Sequence, residues 1–192
     1  MGDLWWLYTI VLGGAFALVA QSLAEDLKRR RIEPGNRLFV TGLVWQVFLL
    51  LLILQVWVAF TYYQRTVEQI AVVSMIAFIA VPLAIFIMGV LISGNGPGGS
   101  DGLDAGEMFD RVRPLFFGTL IVLVVGNIVH ETVLGNAGFD SDLLFQALLV
   151  GGGVVGLLSR GRPLDTWLGA AMIGIVGAYI LLDYAVVSVV AT

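Results

Sequence analysis

Long apolar runs separated by short polar segments make up most of this chain. Most of the runs are close to the roughly 20 residues that an α-helix needs to cross a lipid bilayer. The pattern predicts an all-α integral membrane protein with six transmembrane helices in a single domain over residues 1–192. The polar segment 93–113 is predicted to be a flexible loop on the inside of the membrane. The predicted spans cover about residues 4–23, 38–61, 70–92, 114–134, 143–158 and 167–190.

The basic residues predict the direction in which the helices run. Lysine and arginine residues that flank a span are retained on the cytosolic side. With six spans, nine of the ten basic residues fall on one face of the membrane and Arg65 falls on the other. This distribution predicts a cytosolic basic face and both chain termini on the outer side. The strongest signal is the run Lys28, Arg29, Arg30 and Arg31, for which recognition of anionic lipid headgroups is the alternative interpretation.

Three predicted spans precede the segment 93–113 and three follow it. Two halves of opposite orientation are typical of transporters built from inverted repeats. The two halves of this chain have no evident sequence similarity, so the 3+3 arrangement is predicted by analogy alone.

The composition agrees with a membrane protein. Hydrophobic residues make up 59% of the chain and charged residues only 12%, which is too few to coat a soluble domain of this length. The absence of cysteine excludes disulfides and thiol catalysis. The net charge is −4 and the basic residues lie at predicted membrane edges, so no nucleic-acid partner is expected.

We expect a multi-pass protein of the plasma (inner) membrane of a prokaryote. The first span is expected to be retained as an anchor, because the segment 1–6 has no basic residue.

Polar residues within the apolar runs are the candidates for function. Asn127, His130 and Glu131 stand at i, i+3 and i+4, so they share one helix face. Asp183 lies inside the sixth run, and ionisable groups inside a span usually face protein or water. All four fall in the outer half of the predicted bilayer, as do Gln55 and Gln146. They predict a polar vestibule open to the outside; hydrogen bonding between helices, or a position among the headgroups, is the alternative interpretation.

Other motifs exclude or weaken specific chemistries. His130 is the only histidine, so a multi-histidine metal centre is excluded, and neither a metal nor a cofactor is expected. Gly94, Gly96 and Gly99 match the dinucleotide-binding string, but they follow an apolar run rather than a strand. No catalytic motif identifies an enzyme. Small residues at helical spacing predict faces for a second copy or another membrane protein: Gly13 and Ala17 in the first run, and Ala170, Gly174 and Ala178 in the sixth.

Three functions are compatible with these features. The first is a transporter or channel for a cation or proton, whose pathway is lined by the six polar candidates. The second is a non-catalytic accessory, assembly or sensor subunit that docks other helices through the small-residue faces. The third is a lipid-modifying membrane enzyme with a centre formed by His130, Glu131 and Asp183.

Overall fold

A computed structural model describes residues 2–32, 39–66, 72–93, 105–133, 141–159 and 161–184. These residues form six α-helices and no strand, in agreement with the all-α prediction. Each predicted span corresponds to one helix. The helices are α1 (Gly2–Ile32), α2 (Val40–Thr66), α3 (Val72–Ser93), α4 (Ala105–Val133), α5 (Ser141–Leu158) and α6 (Arg162–Tyr184).

The helices pack in a closed circuit whose order differs from the chain order. Following the circuit, α1 packs against α3, then come α4, α5, α6 and α2, and α2 returns to α1. Helices α2 and α3 also touch, so the first three helices form a triangle. Neighbours in sequence run in opposite directions: Gln46 near the start of α2 bonds Ser22 near the end of α1. All six helices therefore have one terminus at the end of the bundle that contains Lys28 and Arg113. We call this the basic end and the other the opposite end.

Glycine residues allow two of the closest helix contacts. A β-carbon at Gly156 of α5 would collide with the Phe117 ring of α4. A β-carbon at Gly169 of α6 would lie 2.6 Å from Val44 of α2 and 3.3 Å from the Trp45 ring. Backbones approach closely where no side chain intervenes, which is the usual role of small residues between apolar helices.

The outer surface of the bundle is apolar, unlike that of a soluble protein, and the largely apolar core contains a few buried polar side chains. Large apolar side chains point outward, such as Val122 at 72% exposure and Leu182 at 77%. Polar side chains are buried, among them Gln46 and Asp165. Four helical stretches are long and apolar enough to span a membrane, while the described parts of α3 and α5 are shorter apolar helices. The four stretches are Trp5–Lys28, Val40–Thr61, Gly106–Val129 and Pro163–Leu182. Together these features suggest a membrane-embedded protein.

The start of α4 differs from the predicted loop. Residues from Ala105 to Arg113 are helical, so the last nine residues of the segment 93–113 belong to α4 rather than to a loop. Phe109 explains why: it is fully buried, and its ring lies 5.6 Å from that of Phe39. Packing of this aromatic residue stabilises helical turns that the acidic composition alone does not favour. Residues 94–104 lie outside the described part of the chain.

Candidate functional site

An aromatic layer divides the polar residues of the bundle into two groups. The Trp45 ring of α2 makes edge-to-face contacts with Phe116 and Phe117 of α4, at centroid distances of 5.5 and 4.9 Å. Gly169 of α6 packs against the same indole, and Gly156 of α5 packs against Phe117. Edge-to-face packing of this kind stabilises the contact between α2 and α4. Four helices thereby share one level, from which the positions of other residues can be counted.

The basic-end polar layer lies one helical turn from this aromatic layer. Four residues before Trp45, Phe117 and Gly169 come Thr41, Arg113 and Asp165. Arg113 Nη1 donates to Asp165 Oδ2 at 3.3 Å, which joins α4 to α6. The Thr41 and Thr166 hydroxyl oxygens are 2.7 Å apart, which joins α2 to α6. A charged pair and two hydroxyls therefore meet at the junction of three helices.

The Arg113–Asp165 pair is buried and incompletely satisfied. Asp165 has 0% side-chain exposure and Arg113 has 15%. Asp165 Oδ1, Arg113 Nε and the neighbouring Trp45 Nε1 have no hydrogen-bond partner among the described residues. Asp165 lies in the first turn of α6, where the helix dipole stabilises a negative charge. A buried carboxylate still needs a cation close by, and Arg113 supplies it.

A second contact at the basic end joins α1 to α2. Gln46 Nε2 donates to Ser22 Oγ and to Asp26 Oδ2, both at 3.0 Å. Gln46 is 1% exposed, and its Oε1 has no hydrogen-bond partner in the described part of the chain. The sequence predicts a mostly apolar inner half with Thr41 and Gln46 as exceptions, and both of these side chains make interhelical contacts at this end.

The opposite-end polar layer contains an acid with neutral partners. The Tyr179 hydroxyl of α6 donates to Asp142 Oδ1, and Gln146 Nε2 donates to Asp142 Oδ2 at 3.3 Å. The Tyr179 ring stacks on Phe145 with a centroid distance of 4.0 Å, which holds the hydroxyl in place. Asp142 is only half-buried and lies in the first turn of α5, so water and the helix dipole also stabilise its charge.

Helical spacing brings two more predicted residues to this layer. Gln55, Asn127 and Tyr179 each follow a residue of the aromatic layer by ten positions, and Gln146 precedes Gly156 by ten on the antiparallel α5. Ten residues correspond to about 15 Å along a helix. Gln55 and Gln146 are buried, and Asn127 is half-buried. Four helices thus contribute a polar side chain at about the same level.

The remaining predicted residues are only partly described. His130 and Glu131 belong to the last turn of α4 and Asp183 to the last turn of α6, but their side chains lie outside the described residues. The same applies to the side chains of Arg29, Arg30 and Arg31, whereas Lys28 is exposed. In the described part of the chain, both predicted small-residue faces are largely open: Ala17, Ala170, Gly174 and Ala178 are exposed and Gly13 is half-buried.

Sequence interpretation missed three residues of these layers. Arg113 was counted only as a topology signal, and Asp165 and Asp142 were not singled out because they lie just outside the predicted spans 167–190 and 143–158. Each acid lies in the first turn of a helix, which is where carboxylates are favoured. An acid one turn before a small residue, such as Asp165 before Gly169, is the signal that could have identified a buried carboxylate.

These layers can bind charge and hydrogen-bonding groups, and nothing in them resembles a nucleophile–base pair. Among the described residues, no three His, Cys, Asp or Glu side chains are grouped to hold a metal ion. The chain matches no model of a known protein family, and no curated protein or solved structure is significantly similar to it. Its function must therefore be inferred from the two polar layers.

Proposed function

We propose that this chain is a small polytopic membrane protein that transports or conducts a cation or a proton. The pathway begins in a polar vestibule at the opposite end and leads toward the charged pair at the basic end. The observation that carries the proposal is the shared level of Gln55, Asn127, Gln146 and Tyr179 on four helices, where Asn127 is half-buried and the other three are buried. Polar groups inside an apolar bundle are costly and are typical of substrate and ion pathways.

The orientation follows from the distribution of charge. We propose that the basic end faces the cytosol, since nine of the ten basic residues are at that end of a six-span topology. Both termini and the vestibule then face outward, and the bilayer is the plasma (inner) membrane of a prokaryote. Inverted 3+3 repeats receive no support from the packing, because α1 packs directly against α3 while α5 lies between α4 and α6.

The vestibule combines described and predicted residues. Asp142 supplies an anionic group within reach of Gln146 and Tyr179. Glu131 and Asp183 lie in the last turns of α4 and α6 at the same end of the bundle, and His130 precedes Glu131 directly. Carboxylates near the mouth of a pathway attract cations. His130 is suited to proton exchange near neutral pH.

The test is cation and proton flux into liposomes that contain the purified protein. We expect wild type to carry flux, and we expect Asp142→Asn, Glu131→Gln or Asp183→Asn to reduce it at least tenfold where that carboxylate lies on the pathway. Glu25→Gln is the matched control, because Glu25 is exposed at the basic end and bonds only Gln21 among the described residues. Flux no greater than in protein-free liposomes would refute the proposal.

An accessory role is the second candidate, and one observation favours it. Ala170, Gly174 and Ala178 lie on an exposed face of α6, and a β-carbon at Gly174 would have no atom within 4 Å. Such a face fits close approach of a helix from a second copy or from another membrane protein. Gly174→Leu would then abolish the association seen in mild detergent without unfolding the monomer, whereas Gly118→Leu, at another open position, would not. An unchanged association state in Gly174→Leu would count against this role.

A further inference from the structure

The Arg113–Asp165 pair has features of an ion site filled by a tethered side chain. Arg113 contacts one carboxylate oxygen at 3.3 Å, which is longer than the 2.7–2.9 Å typical of a charge-assisted bond. The other oxygen, Oδ1, is buried without a partner. Asp165 therefore uses one oxygen for Arg113 and retains the other as unused capacity to bind a cation.

Oxygen atoms that suit a hard cation lie at the same level. The Thr41 hydroxyl is one turn before Trp45, and Thr166 directly follows Asp165. Their two oxygens are 2.7 Å apart, so α2 and α6 present two hydroxyl groups together, one residue along α6 from the carboxylate. Hydroxyl and carboxylate oxygens are ligands that hard cations prefer.

Arg113 is less enclosed than its partner. Its side chain is 15% exposed whereas Asp165 has no exposure. Arg111, two residues before it, is exposed at the basic end. An arginine that swings into solvent regains its hydration, and a cation that replaces it keeps the buried site neutral.

We propose that Asp165, with the hydroxyl groups of Thr41 and Thr166, is a site for a monovalent metal cation, and that Arg113 is a tethered counter-ion which the cation displaces. The inference rests on the proposed cation-coupled function and deepens it by naming the ligand class and the basic-end site. Displacement also breaks the link between α4 and α6, so cation binding loosens the basic end. No covalent bond forms or breaks in this exchange.

The test measures thermal stability of purified protein against Na⁺ and K⁺, with choline at equal ionic strength as the reference. Arg113→Ala removes the tethered counter-ion of Asp165. We expect its Tm to rise by about 5–10 °C between choline and saturating Na⁺ or K⁺, and wild type to respond much less. Arg113→Gln serves the same purpose if the alanine variant does not fold.

Three further variants identify the ligand residue. Arg113→Lys keeps the tethered charge and is expected to behave as wild type. Adding Asp165→Asn to Arg113→Ala is expected to abolish the metal-ion response, whereas adding the exposed change Glu25→Gln is expected to leave it intact. An Arg113→Ala variant that choline stabilises as well as Na⁺ and K⁺ do, or that responds only to low pH, would overturn the site.

The experiment separates this inference from the proposed function, because it needs no flux. Metal-ion stabilisation of Arg113→Ala in a protein that carries no flux would leave the site standing and refute transport. Flux in wild type without any metal-ion response in Arg113→Ala would refute the site and leave transport standing.

Discussion

The two polar layers solve the same physical problem in different ways. Each contains an acid in the first turn of a helix, Asp165 at the basic end and Asp142 at the opposite end. Asp165 is fully buried and is paired with the charged Arg113, whereas Asp142 is half-buried and accepts hydrogen bonds from Tyr179 and Gln146. A carboxylate without access to water needs an opposite charge, while one near the surface needs only neutral donors.

This difference predicts that the basic-end layer depends on a single partner and the opposite-end layer does not. Loss of Arg113 leaves a buried charge unpaired. Loss of Tyr179 leaves Asp142 with Gln146 and with water. The expected effects on the free energy of unfolding therefore differ severalfold, and the following changes test that contrast from the largest effect to the smallest.

The largest decrease in the free energy of unfolding is expected for Arg113→Ala. Breaking a buried ion pair by removing one partner costs about 3–5 kcal/mol, because the remaining charge is uncompensated. The measurement is reversible unfolding in mixed detergent micelles, in choline buffer, followed by circular dichroism. Lys28→Ala is the control, since Lys28 is exposed. A loss equal to that of the control would mean that Asp165 does not depend on Arg113.

The next largest loss of stability is expected at the contact between α4 and α5. This contact fixes the relative heights of the residues in each polar layer. Gly156→Val places a side chain where the Phe117 ring now lies, and overpacking of this kind costs about 1–3 kcal/mol. Gly151→Val on the same helix is the matched control, because Gly151 is exposed and has nothing within 4 Å. Similar unfolding free energies for the two variants would contradict the close approach of α5 to α4.

A smaller decrease in the free energy of unfolding is expected for Gln46→Leu at the basic end. The change removes donors to Ser22 and Asp26, and a hydrogen bond to a charged group contributes about 1.5–3 kcal/mol. Leucine fills most of the volume and removes the unpartnered Oε1, so a net loss of about 1 kcal/mol is expected. Gln21→Leu, whose exposed amide bonds Glu25, should change stability less. Equal losses would indicate that the α1–α2 contact is not held by Gln46.

The smallest decrease in the free energy of unfolding is expected for Tyr179→Phe at the opposite end. The stacking on Phe145 is retained, and one interhelical hydrogen bond in a membrane protein contributes about 0.6 kcal/mol. Phe145→Leu removes the stacking partner but keeps the hydroxyl, so the two variants separate ring packing from hydrogen bonding. A loss in Tyr179→Phe as large as that in Arg113→Ala would break the contrast between the two layers.

The elements of the fold could be read from the chain, but the polar partners could not. The apolar runs identified all six helices, and the predicted topology placed Gln55, Asn127 and Gln146 in the outer half of the bilayer. Two helices begin before the predicted spans, each for a physical reason. Burial of Phe109 extends α4 into the acidic segment, and α6 begins early enough to include Asp165 in its first turn.

The partners Arg113 and Asp165 are 52 residues apart in sequence, and Asp142 and Tyr179 are 37 apart. No local pattern relates residues at such distances, since their contact depends on which helices become neighbours. The order of the circuit decides this, and it is set by small residues such as Gly156 and Gly169 that match bulky aromatic neighbours.

The sequence by itself determined the class of structure, because backbone hydrogen bonds and apolar side chains require helices of about this length in an apolar solvent. It also determined that polar groups recur at defined heights along those helices. Only the tertiary structure decided that Asp165 meets Arg113 and that Asp142 meets Tyr179 and Gln146. The physical reason is that the neutralisation of a buried charge depends on distances of a few ångströms between helices, and these exist only once the helices have packed.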